Sequence, residues 1–167
     1  EHQFDTGVDN QGWWSPTDFI NSANDNYFCG HLDLAAYRSF FTFYTPAWNP
    51  QEPIVSAILA PPRGGVNNSQ SSVELQLFDV TTPAATLKNN KSANGTIYND
   101  LGSGINYGSA VVIANGTPSE AVQIPLNAQG IAALQSTTSN YFSIGARLTN
   151  ESQKIFTFSD VYTVTLI

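Results

Sequence analysis

The stretch Tyr37-Arg38-Ser39-Phe40-Phe41-Thr42-Phe43-Tyr44 decides the fold class. Five of its eight residues are aromatic, the composition of a pleated surface and not of a helix. An extended backbone sends successive side chains to opposite faces, so Phe40 and Phe41 cannot both enter one core. One is expected to line the core, and the other to be covered by the N-terminal loop or by the one helix expected, near residues 127–135.

The same period of two recurs outward from this point. Apolar alternation, or dense β-branched and aromatic runs, marks residues 2–6, 54–60, 73–80, 107–114, 121–125, 141–148 and 155–167. Turn formers separate them: Pro46, Pro50 and Pro53; Pro61-Pro62-Arg63-Gly64-Gly65; Gly102-Ser103-Gly104; Asn115-Gly116; Ser139-Asn140. Short strands at this spacing, with no recurring strand–helix alternation, predict an all-β chain: a two-sheet antiparallel β-sandwich, jelly-roll-like, in one domain over residues 1–167. Residues 156–167 hold the longest regular alternation and are expected to form a central strand. One short helix is expected near residues 127–135, where Asn127 can cap and Ala128, Ile131 and Ala132 share a face. Residues 89–96 read as a loop. The expected core comprises Phe40, Phe41, Phe43, Phe142, Phe156 and Phe158 with Leu75, Leu77, Val111, Ile144 and Val164.

Composition narrows the function classes. The net charge is −7, from 6 basic and 13 acidic residues, with no basic cluster, so a phosphate backbone would be repelled and no nucleic-acid partner is expected. No apolar run approaches the roughly 18 residues of a membrane span. The lone Cys29 can form no internal disulfide and reads as a small buried hydrophobe, with a free thiol or an intermolecular bridge as alternatives. Methionine is absent throughout, and Glu1 is expected to follow a processing event, as in an exported chain. N-x-S/T sequons stand at Asn67, Asn90, Asn94, Asn115 and Asn150, of which all but Asn115 are candidate glycan acceptors.

His2 and His31 are the only histidines, and neither stands in a nucleophile-elbow, zincin or Cys-x-x-Cys context. Paired carboxylates for glycoside hydrolysis could be drawn from Asp5, Asp9, Asp25, Asp33, Glu74, Glu120 and Asp160, but so many acids on short strands make some such pair almost inevitable. Asp5, Asp9 and Asp25, with Asn10, Asn24 and Asn26, are hard oxygen donors suited to a structural calcium ion. The same residues build turns through side-chain to backbone bonds. Trp13, Trp14, Tyr27 and Trp48 are the candidate ligand-binding aromatics, because an exposed ring beside Asn, Asp and Ser offers a flat face to a sugar.

Taken together, Gly12-Trp13-Trp14-Ser15, Asn24-Asp25-Asn26-Tyr27-Phe28, Arg38-Ser39-Phe40-Phe41-Thr42-Phe43, Val55-Ser56-Ala57, Tyr98-Asn99-Asp100-Leu101-Gly102-Ser103-Gly104 and Ile124-Pro125-Leu126-Asn127-Ala128 give the chain a family likeness. It resembles a β-sandwich domain of exported microbial proteins that often carry a PEP-CTERM-type sorting signal, and residues 38–57 look like the jelly-roll domain called DNRLRE. The resemblance implies an extracellular or surface-attached, non-enzymatic module. It departs from the pattern in that no sorting tail follows Ile167.

The expectation is therefore a secreted, non-catalytic surface or matrix protein that binds carbohydrate or a surface protein. It requires no cofactor beyond the calcium considered above. Two alternatives stand beside it: a structural subunit that assembles into filaments or lattices by exchanging terminal strands, and a glycoside hydrolase. A donated terminus would leave a vacancy in its own sheet, whereas a binding module keeps both terminal strands at home.

Overall fold

A computed structural model describes residues 3–6, 10–17, 26–32, 35–46, 49, 51–62, 65–66, 71–88, 93–113, 120–156 and 164–167. In chain order the strands are β1 (Phe4–Asp5), β2 (Gln11–Trp14), β3 (Phe28–Leu32), β4 (Ala35–Tyr44), β5 (Ile58–Ala60), β6 (Gly65–Val66), β7 (Ser72–Asp79), β8 (Asn106–Ile113), β9 (Ile124–Pro125), β10 (Tyr141–Leu148), β11 (Lys154–Phe156) and β12 (Thr165–Leu166). The helices are α1 (Ala84–Lys88), α2 (Gly95–Asp100) and α3 (Ala128–Gln135).

Two antiparallel sheets result, an all-β, sandwich-like arrangement. The smaller has the order β1-β12-β5-β9; the larger runs β6-β11-β3-β4-β10-β7-β8, with β2 also paired to β4. One flank of β4 is shared along its length, Ala35 to Tyr37 by β3 and Arg38 to Phe41 by β2, while β10 holds the other.

β4 is buried on both faces, which is how it accommodates its adjacent phenylalanines. Phe41 and Phe43 enter the main core, where Leu75, Leu77, Ile144 and Leu148 of the larger sheet meet Leu59, Ile124 and Leu166 of the smaller. Phe40 joins a second cluster with Trp14, Ala35, Tyr37, Leu87, Ile97 and Leu101. The cover over Phe40 comes from α1, α2 and the turn that follows α2, with Trp14 of β2 beside them, and not from the helix near 127–135, whose Leu134 belongs to the main core.

Arg38 lies under the same cover. Its Nε donates to Glu151 Oε1 at 2.6 Å and its Nη1 to the Tyr98 carbonyl at 3.1 Å, while the guanidinium sits 4.1 Å from the centre of the Tyr98 ring. Tyr98 completes the triangle by donating its hydroxyl to Glu151 Oε2. Two glycines permit close approaches nearby, Gly145 between the sheet and the turn after α2, and Gly30 between neighbouring strands of the larger sheet. At Gly145 a Cβ would stand 2.5 Å from the Leu101 carbonyl, and at Gly30, where φ is +108°, it would collide with the Gln153 carbonyl. Cys29 is fully buried and free; desolvation pushes its thiol up to about 12, against the opposing hydrogen bond with Ser39, so it remains a neutral hydrophobe.

Several expectations are corrected. Residues 156–167 do not form one central strand: β11 lies in the larger sheet and β12 in the smaller, so this part of the chain changes sheet. Val111 is 61% exposed because β8 is an edge strand whose outer face has no layer above it. Three helices occur among the described residues where one was expected, and Gly95 and Thr96, expected in a loop, begin α2, while residues 89–92 lie outside the described residues. The α3 assignment matches in place and cap, with Asn127 Oδ1 accepting from Gln129 N and Gly130 N. Phe40, Phe41, Phe43, Phe142, Leu75, Leu77, Ile144 and Val164 are buried as expected. The side chain of Phe156 and all of Phe158 lie outside the described residues. No helix among the described residues is long and apolar enough to cross a membrane.

Candidate functional site

Of the aromatic residues singled out in the sequence, Trp14 and Tyr27 are buried. Trp14 is 4% exposed and donates its indole N–H to the Leu87 carbonyl at 3.2 Å, which anchors α1. Tyr27 is 1% exposed, packs edge-on against Phe41 and donates its hydroxyl to the Pro62 carbonyl at 2.8 Å. Trp13 is half-buried at the margin of the second cluster, its ring centre 6.5 Å from that of Phe28. Trp48 lies outside the described residues. The reason for the correction is physical: a tryptophan or tyrosine whose polar atom finds a backbone acceptor can be buried at little cost, and its large apolar area favours that outcome.

Exposed aromatic surface is found instead at the ends of β4 and β10. Tyr44 and Tyr141 face each other across the two strands, ring centres 5.2 Å apart and tilted by 44°, and are 50% and 43% exposed. Tyr141 also walls a groove of about 430 Å³ between β10 and α1. The polar lining comes from Asn10, Thr81, Thr82, Lys88, Ser139 and Ser143, and the apolar lining from Val80, Pro83, Ala84 and Ala85. Alternation along β10 places Tyr141 and Ser143 on one face while Phe142 points into the core, and Ser139 stands in the bend just before the strand. Ser143 is hydrogen-bonded to Thr42 across the strands at 2.9 Å.

The wall carrying Thr81 and Thr82 is held from behind by Asp100. Both threonine hydroxyls and both backbone N–H groups donate to its carboxylate at 2.6 to 3.2 Å. Burial acts to raise the pKa of Asp100, but the combined hydrogen bonds from Thr82 and Thr81 outweigh it and hold the group below its ordinary 3.8. A depressed native pKa means that the carboxylate contributes stability in full above its unfolded value, near pH 4, and loses that contribution as pH falls through the lowered native value. Asp100→Asn is therefore expected to flatten the acid limb of a melting-temperature profile, scanned by circular dichroism, and to leave its shape above pH 5 unchanged. An acid limb as steep as that of the wild type would contradict this.

Asp9, Asp25, Asp33 and Asp160 lie outside the described residues, so only part of the metal and catalytic candidate set can be placed. Asp5 Oδ1 accepts from Thr165 Oγ1 at 2.7 Å and from Gln3 at 3.5 Å. Among the described residues no three of His, Cys, Asp and Glu come together as a metal-binding group. Glu74 accepts from Thr149 on the larger sheet, far in the topology from Asp5 on the smaller. Neither the groove beside Tyr141 nor a second, apolar groove bordered by Phe4, Ile54, Val55 and Leu166 is lined by a carboxylate.

Of the sequons, Asn94 and Asn150 are described and exposed, whereas Asn67 and Asn90 lie outside the described residues. Asn94 caps α2, its Oδ1 accepting from Thr96 N and Ile97 N. Asn150 Oδ1 accepts from the backbone N–H and the hydroxyl of Ser152.

The tyrosine pair escaped the sequence reading because neither residue stands out in composition. The available signal was position: Tyr44 directly precedes Thr45-Pro46 and Tyr141 directly follows Ser139-Asn140, so both rings sit where a strand leaves its sheet. No protein-family model matches this chain, and no curated protein matches it in sequence.

Proposed function

We propose that this chain is a secreted, non-catalytic surface or matrix module that binds carbohydrate, and that Tyr44, Tyr141 and the adjoining groove form the binding site. One observation carries the reading: Tyr141, half-exposed and packed against the half-exposed Tyr44, lines a groove that also presents the hydroxyls of Thr81, Thr82, Ser139 and Ser143 and the amide of Asn10. Rings of this kind stack on the apolar face of a pyranose, and Asn10, Thr81, Ser139 and Ser143 supply donors and acceptors for its hydroxyls. The resemblance to exported β-sandwich modules points the same way.

The arrangement of the termini weighs against assembly by strand exchange. β1 pairs with β12 inside its own sheet, Phe4 opposite Leu166, so both described terminal strands are at home. The hydrolase alternative draws no support from either groove, since neither brings two carboxylates together.

The test separates affinity from stability. Wild-type protein is expected to be retained on some members of an immobilised glycan array. Tyr141→Ala and Tyr44→Ala should each lower the affinity about tenfold or more, with the double variant not retained, because hot-spot aromatics typically contribute 2 kcal/mol or more to a complex. Melting temperatures should change little, as half-exposed rings contribute little to folding. Absence of glycan binding by the wild type, or undiminished binding by the double variant, would refute the reading.

A further inference from the structure

We propose that the groove beside Tyr141 selects acidic sugars, pyranosides that carry a carboxylate or a sulfate, and that Lys88 is the residue that reads the charge. This rests on the glycan reading of that groove and adds to it the charge of the ligand.

Lys88 is the only charged side chain among the described residues that line the groove. It stands exposed at the last position of α1 and forms no hydrogen bond or ion pair with any described residue. A lysine at a helix end commonly donates to the last carbonyls, but that of Leu87 already accepts the Trp14 indole N–H. The described arginines are engaged elsewhere, Arg38 with Glu151 and Arg147 over the Phe78 ring. Lys88 is thus a cation held at the groove with no counter-ion among the described residues.

The hydroxyls of the same lining are already oriented. Thr81 Oγ1 and Thr82 Oγ1 each commit their single proton to Asp100, at 2.7 and 2.6 Å, so toward the groove they can only accept. Ser139 donates its proton to the Tyr141 carbonyl and is left an acceptor in the same way. Such oxygens suit the hydroxyls of a sugar, which donate, and repel an anion. Donor capacity lies with the Lys88 ammonium and with the amide of Asn10, a residue fixed by the bond from Thr42 N to its carbonyl at 2.7 Å. A ligand that satisfies both sets carries donating hydroxyls toward the threonines and an anionic group toward Lys88. Along α1, Ala84 and Lys88 are about 6 Å apart at about 1.5 Å per residue, a length that one pyranose ring can bridge.

The net charge of −7 acts against an anionic ligand, but only weakly at this place. Charges farther away than about 8 Å are largely screened at physiological salt, so the local groups decide. No carboxylate is among the described residues of the lining. Asp100, behind the threonine wall, already accepts from two hydroxyls and two backbone N–H groups, and what remains of its charge favours an anion at the Lys88 end. There a charge-assisted hydrogen bond is roughly twice as strong as a neutral one, which gives an acidic sugar its advantage over a neutral sugar of the same shape.

Affinities of the full chain for a matched set of oligosaccharides test this: a neutral hexose oligomer, its sulfated form, the corresponding uronate oligomer and the methyl ester of that uronate. Wild-type protein should bind the uronate, the sulfated form or both about fivefold or more tighter than the neutral and esterified forms, and the advantage should shrink as salt rises. Preference for one acidic form alone would name the anion as carboxylate or as sulfate. Lys88→Gln should bring the ratio of acidic to neutral affinity close to unity, whereas Lys88→Arg, which keeps the charge, should retain the preference. Melting temperatures check that both variants fold, which an exposed side chain at a helix end should barely alter. Neutral forms bound by the wild type as tightly as acidic ones, or a preference that survives Lys88→Gln, would overturn the acidic assignment and leave the glycan site standing. Failure of the wild type to bind any member of the set or of the glycan array would overturn both.

Discussion

Phe40→Ala and Phe41→Ala should each lower stability by about 3 to 5 kcal/mol, in chemical denaturation, because removing a fully buried ring forfeits its transfer energy and leaves a cavity. Both residues are 0% exposed, yet they belong to different clusters. That equality is what the architecture demands. A strand with one face toward water would yield one large loss and one near zero, and such an outcome would remove the helical cover from this account. Against a typical total of about 5 to 15 kcal/mol, either substitution alone brings the fold near its limit.

Arg38→Ala is expected to cost a similar amount, about 3 to 5 kcal/mol, because removing one partner of a buried pair strands the other. The side chains of Arg38 and Glu151 are 10% and 31% exposed, so Glu151 would recover part of its hydration and the lower end of that range applies. Arg38 also carries the Tyr98 carbonyl and ring, which fix α2 over Phe40. Arg38→Met should be milder, since it refills the space without the charge. A double-mutant cycle between Arg38 and Glu151 checks the assignment, with a coupling of about 1 kcal/mol or more expected for side chains in direct contact. Additive effects, or a loss for Arg38→Ala within about 0.5 kcal/mol of zero, would mark the pair as a surface contact.

The strands were legible because period two is a local property: β4, β7, β8 and β10 stand where alternation placed them. The adjacent Phe40 and Phe41 even announced that a second layer must exist. What supplies that layer was not legible, because α2 is built from Gly95, Thr96, Asn99 and Asp100, residues that propensity counts against a helix. It forms because Asn94 caps it and because Ile97, Tyr98 and Leu101 have a surface to cover. The candidate site was hidden by a related effect. Aromatic character marked Trp14 and Tyr27, but burial depends on whether the indole N–H and the phenol find acceptors, here the carbonyls of Leu87 and Pro62, each distant in the chain. Edge position misled in the same way at Val111, whose pattern is that of a core residue and whose neighbourhood is not.

The placement of β12 between β1 and β5 has a consequence for the order in which the molecule can be completed. Phe4 meets Leu166, and Asp5 meets Thr165, across almost the whole length of the chain. A polypeptide made from its N-terminus therefore holds β1, β5 and β9 long before it has the strand that joins β1 to the others. Until residues 164–167 emerge, Leu59 and Ile124 lack the Leu166 and Val164 side chains that share their core. The closure entropy grows only slowly with such a span, but contacts this distant in sequence slow folding. Without β12 the smaller sheet is two separate pieces, β1 on one side and β5 with β9 on the other, so one short strand carries the whole joint.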